Sequence, residues 1–159
     1  MKKILFVILI LSLFALSSPF SACALEGTEK LPDIEGWTCG EIRKTELDTV
    51  SGNRGNWLER DYRTASGLSL HAVWIDGSAV KGWDAGKKGI ISNDGPLGSG
   101  AVYKTADVAG INAIFESHPI TGASLSLKIG SGVLTLESKL GEENEIINAA
   151  AAIIGKIKK

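Results

Sequence analysis

Polar and apolar residues alternate most cleanly over 124–129, where Leu125, Leu127 and Ile129 fall on one side and Ser124, Ser126 and Lys128 on the other. A period of two is that of a strand with one face in a core and one in water. Gly130, Ser131 and Gly132 then turn the chain into 133–138, so the two runs predict a hairpin. Residues 68–76 are rich in strand formers and follow 57–63 across Thr64, Ala65, Ser66 and Gly67, which predicts a second hairpin. Residues 101–108 and 111–117, parted at Ala109 and Gly110, predict a third strand pair, and a weaker strand covers 41–47. Beyond Gly141 the period changes. Ile146, Ile147, Ala150, Ile153, Ile154 and Ile157 recur at three- and four-residue spacing. Glu142, Glu143 and Glu145 stand in the first turn of this predicted helix and Lys156, Lys158 and Lys159 in the last, matching the helix dipole at both ends. The expected fold is α+β: an antiparallel β-sheet of about six to seven strands packed against a C-terminal amphipathic helix. Full burial of each isoleucine contributes about 1.5 to 3 kcal/mol, enough to seat the helix on the apolar sheet face.

The first residues follow neither period. Lys2 and Lys3 precede a thirteen-residue stretch, 4–16, that is apolar but for Ser12, and Pro19 and Ala22-Cys23-Ala24 follow it. Charge, apolar core and small-residue exit are the features of an export signal. The stretch is short of the roughly 20 residues that span a bilayer. Two cleavage readings follow. Ala22 and Ala24 suit the ordinary signal peptidase, which would release a free protein starting at Leu25. Alternatively, Phe20-Ser21-Ala22-Cys23 resembles a bacterial lipobox, with Phe20 where Leu is usual, and Cys23 would become an acylated first residue. The expected organisation is a signal peptide over 1–24, or 1–22 for a lipoprotein, and one α+β domain over 25–159.

Composition narrows the function. Without Lys2 and Lys3 the chain has fifteen Lys and Arg against eighteen Asp and Glu, a net charge of −3, which offers no footprint for nucleic acid. All 19 glycines lie beyond residue 24, dispersed between short apolar runs as strand punctuation. Cys39 has no intramolecular partner once Cys23 is removed or acylated, so no disulfide framework is expected. A small buried or half-buried side chain is the ordinary role of such a cysteine.

Candidate chemistry is sparse. The run 77–100 holds seven glycines and no convincing regular element, and loops of that length inside a compact domain are often functional. It predicts a binding loop carrying Trp83, Lys87, Lys88, Asn93 and Asp94. The glycine-rich 95–100 lacks the lysine-serine ending of a phosphate cradle and reads as a turn. Trp37, Trp57 and Trp74 fall in or beside strands, where packing explains them. The only histidines, His71 and His118, are the residues on which a small enzyme would depend, paired with Asp76, Asp84 or Glu116. Their spacing forms no metal motif, and no cofactor is expected.

The block GPLGSGAVYKTADVAGINAIFESHPITGASLSLKIGSGVLTLESKLGEENEIINAAAAIIGKI, from Gly95 to Ile157, with the preceding KLPDIEGW from Lys30 to Trp37, resembles small secreted or lipid-anchored bacterial domains of the PsbP/Mog1-like type. The resemblance lies in the order of elements. It implies an antiparallel sheet flanked by helices, and members that mostly bind or assist other proteins; fold alone does not carry function. The expected function is therefore that of an exported cell-envelope protein, periplasmic, secreted or anchored through Cys23. It would act as a non-catalytic binding or assembly module for an envelope protein or ligand. The alternative is the small extracytoplasmic enzyme built on His71 or His118.

Overall fold

The computed structural model describes residues 27–87, 89, 91–93, 98 and 100–157. The leader and Cys23 lie outside the described residues. Among the described residues nine strands form one sheet: β1 (Thr38–Cys39), β2 (Arg43–Thr49), β3 (Gly52–Arg63), β4 (Ser69–Ile75), β5 (Ile91–Asn93), β6 (Val102–Val108), β7 (Ile111–His118), β8 (Gly122–Ile129) and β9 (Gly132–Ser138). One helix, α1 (Glu143–Lys156), follows. The α+β class is as expected, but six to seven strands was too few. The two additions are β1, two residues long, and β5, three residues within the glycine-rich run; both are too short to display a period.

Every pairing is antiparallel, in the order β1-β3-β4-β9-β8-β7-β6-β5, with β2 also on β3. Because β4 occupies one side of β3, β1 and β2 share the other, end to end. The turns follow from their residues. Ala109 and Gly110 both take positive φ, 51° and 84°, the type I′ geometry that matches strand twist in a two-residue hairpin. Between β3 and β4, Gly67 N–H bonds Thr64 O at 2.9 Å, and Leu68 N–H bonds the Thr64 hydroxyl at 3.0 Å.

One sheet face carries the core. Leu58, Tyr62, Leu70, Ala72, Trp74, Leu134, Leu136, Leu125, Leu127, Ala113 and Phe115 share it through the strand register, and Ile146, Ala149, Ala150 and Ile153 of α1 are buried against it. Glu142 caps the helix in a reciprocal box with Glu145. Lys104 of β6 pairs with Glu143, fastening the first turn to the sheet. The rest of this face is covered by the segment from Leu31 to Trp37. Arg60, although in a buried register, reaches back to hold it, donating to Leu31 O at 2.6 Å, Gly40 O at 2.8 Å and the Asp33 carboxylate. The Tyr62 hydroxyl donates to Pro32 O at 2.9 Å, and burial pushes its pKa up.

The chain leaves β4 mid-sheet and enters β5 at the far edge, so the intervening residues cross the opposite face. A short 3₁₀ turn, Gly77–Val80, starts the crossing. Val80 and Ala85 are buried there, as are Val73 and Val133 of the strands beneath. The crossing covers that part of the second face, whereas Asp61, Arg63, Ser69 and Glu137, at the other end of the same strands, are exposed.

Candidate functional site

The uncovered part of the second face is built by register. Asp61, His71, Glu137, Ser124 and Glu116 stand opposite one another in turn across β3, β4, β9, β8 and β7. On β3, Trp57, Glu59 and Asp61 point to this face because alternate residues share a side. Arg43 of β2 faces Glu59 and closes the cluster at the edge.

These groups largely satisfy one another. Arg43 Nε donates to Glu59 at 3.3 Å and its Nη1 to Asp61 at 3.4 Å. The Trp57 indole N–H donates to Glu59 Oε1 at 2.8 Å, and that bond is the main reason the Glu59 carboxyl lies below its usual pKa. His71 Nδ1 lies 2.8 Å from Asp61 Oδ1. An ionised carboxylate only accepts, so Nδ1 carries the proton. This bond chiefly holds Asp61 below the usual carboxylate range, against a smaller opposing push from burial. His71 Nε2 is 3.9 Å from Glu59, too far for a hydrogen bond.

Beside this cluster, at the end of the sheet, opens a groove of about 750 Å³. Asp61, Arg63, Ser69, His71, Glu137 and Lys139 supply its polar groups, and Leu68, Leu70 and Leu140 line it as well. Thr38 and Thr121 stand at its margins, from the edge strand and from the β7–β8 turn. Arg63 faces Ser69 across the β3–β4 ladder. Lys139, one residue past β9, follows Ser138, whose hydroxyl bonds Ser69 O at 2.9 Å. Among the described residues the side chains of Arg63, Glu137 and Lys139 have no hydrogen-bond or ion-pair partner, unlike the Arg43 cluster.

The histidines meet different neighbours from those considered from sequence. His71 meets Asp61. Asp76 instead accepts from the Asn56 backbone and side-chain amides at 3.0 and 3.1 Å. Asp84 accepts from Gly86 N–H at 3.2 Å. Glu116 shares the His71 row but sits three strands away, roughly 14 Å at the usual strand spacing. His118 Nδ1 accepts the N–H groups of Ile120 and Thr121, both at 3.1 Å, and so fastens the β7–β8 turn. Among the described residues no three His, Cys, Asp or Glu side chains are grouped to hold a metal ion. Cys39 is half-buried at the edge, in strand β1.

The predicted loop also takes a more regular form than its glycines imply. Trp83 is half-buried over the second face, and its carbonyl accepts from Lys128 Nζ at 3.4 Å. Lys87 is exposed. Asn93 ends strand β5, so the run contains a strand as well as the 3₁₀ turn. Lys88 and Asp94 lie outside the described residues. Neither Trp83 nor Lys87 lines the groove.

Arg63, Ser69, Glu137 and Lys139 were not singled out from sequence. For Arg63 the alternation of 57–63 was the only signal, and it is obscured by Arg60 on the buried side. Compared with known families, curated proteins and solved structures, the chain matches none.

Proposed function

We propose that this protein is an exported, non-catalytic binding module of the cell envelope, of PsbP/Mog1-like type, and that the groove beside His71 is where it takes its ligand or partner. The observation that carries the reading is a groove with charged side chains that have no partner among the described residues. A solvated second face is ordinary for an antiparallel sheet, but polar groups converging around a concavity on it are the usual form of a binding site. The pattern of the leader supports export, and the PsbP/Mog1-like type rests on the order of elements read in the sequence. In this reading the crossing segment around Trp83 and Lys87 is a second contact surface.

The test is a photo-crosslinking amino acid at Thr121 or Glu137, with one at Asn148 on the exposed side of α1 as control, in cells fractionated after irradiation. Adducts are expected in the envelope fraction from the groove positions only. Purified protein should compete for them, whereas the Ser69→Trp variant, which fills the groove, should not. Adducts indifferent to position or to that variant would refute the reading. Intact mass separates a protein beginning at Leu25 from one beginning at acylated Cys23.

The His71–Asp61 bond favours one alternative, a small enzyme in which an oriented imidazole serves as general base. It requires His71→Ala to abolish turnover while ligand binding survives.

A further inference from the structure

We propose that the groove takes a small zwitterion, with its oxyanion held between Arg63 and Lys139 above the Ser69 hydroxyl and its ammonium held at Glu137. This rests on the binding reading above and specifies its ligand. The groove contains two neighbouring rows of opposite character. Arg63, Ser69 and Lys139 form a cationic row with a hydroxyl between its charges. Asp61, His71 and Glu137 form an acidic row one pleat repeat further along the same strands. Two residues of extended chain set the rows roughly 6.8 Å apart.

The charges in the two rows are not equally available. Arg43 and His71 already engage Asp61, whereas the side chains of Arg63, Lys139 and Glu137 have no partner among the described residues. What remains to be matched is two positive charges on one row and one negative charge on the other. An oxyanion can accept from Arg63, Lys139 and the Ser69 hydroxyl together, and charge-assisted bonds of this kind are stronger than neutral ones. A second anionic group would be repelled by Glu137, and by Asp61 and Glu59 behind it. An ammonium in that position is attracted by all three. The spacing suits a ligand whose charges are separated by a short chain, and the exposed Leu140 gives that chain apolar surface. An ω-amino acid and phosphoethanolamine share this chemistry.

Titrations of the labelled protein with ε-aminocaproate and with phosphoethanolamine, followed by the amide shifts of Ser69, His71 and Glu137, test the proposal. Caproate and hexylamine serve as single-charge controls. At least one zwitterion is expected to bind about tenfold tighter than either control, with affinity falling as salt rises. The ratio between the two distinguishes a free amino acid from a lipid or polymer headgroup. Arg63→Ala with Lys139→Ala should remove the advantage of ε-aminocaproate over hexylamine, and Glu137→Ala its advantage over caproate. All three side chains lie on the surface, and unchanged melting curves would show that the fold persists. Equal binding of zwitterion and single-charge controls, or no shift of the groove amides by any probe, overturns the proposal. Groove-specific crosslinking that persists in that case leaves the binding reading standing; loss of both removes it too.

Discussion

Gly132 and Gly155 show how the surroundings of one residue type decide the sign of a substitution. A Cβ on Gly132 would lie 2.2 Å from Cζ2 of Trp74, a ring that is only 1% exposed and is covered by the Lys30 ammonium at 5.3 Å. Gly132→Ala must therefore displace the ring or the β9 backbone and should destabilise by about 1–3 kcal/mol in urea unfolding. At Gly155, within α1, an added Cβ meets nothing within 4 Å, so Gly155→Ala should stabilise by about 0.5–1 kcal/mol. Equal effects at the two positions would contradict this packing. The carboxyls of Glu59 and Asp61 make a pH argument of the same local kind. Both are held below their unfolded pKa, near 4, so the stability they add is present above that pH and is lost as pH falls through the lower folded values. Replacing them together, as Glu59→Gln with Asp61→Asn, should flatten the acid limb of the stability profile below about pH 4. Solvent screening keeps the effect small, and an unchanged slope would show that the pairs contribute nothing.

Hairpins and helix were legible because their signals are local. The glycine turns, the alternation over β8 and the isoleucine spacing of α1 each specify an element from its own residues. Sequence reasoning missed β1 and β5, whose two and three residues exist as strands only because β3 and β6 offer them partners. It also missed the groove. Arg63 and Lys139 lie 76 positions apart along the chain, and only the pairing of β3 with β4 and β4 with β9 brings them to one end of the sheet. The β6–β7 turn tests how far local chemistry governs an element. Ala109 occupies the left-handed region at φ 51°, where an L-alanine is strained by roughly 1–2 kcal/mol, while Gly110 beside it is at ease. Asparagine tolerates this conformation, so Ala109→Asn should raise stability by about 0.5–1 kcal/mol in thermal unfolding. No gain would mean that the surrounding ladder, rather than the turn, determines this geometry.

Joining the two halves of the molecule is the work of the β4–β9 ladder. Strands β1 to β4 lie on one side of it and β5 to β8 on the other, and its register runs from His71 opposite Glu137 to Ile75 opposite Val133. Pairing between segments this distant in sequence is non-local, which is why alternation predicts the strands without predicting their order. The covered face spans the same seam: Ala72, Leu136 and Leu125 are adjacent across three strands and fully buried, in one core with Tyr62 on one side and Phe115 on the other. A core continuous across the one ladder between the halves among the described residues should make the domain unfold as one unit. Leu136→Ala, which opens a cavity at that ladder, should therefore destabilise the whole domain by about 2–5 kcal/mol. The amides of β3 and β7 should lose hydrogen-exchange protection by the same amount, and near- and far-ultraviolet circular dichroism should melt together. If β3 were to lose protection while β7 kept it, the halves would be separable. The groove, whose residues come from both sides and from the seam itself, would then depend on docking of two units rather than on folding of one.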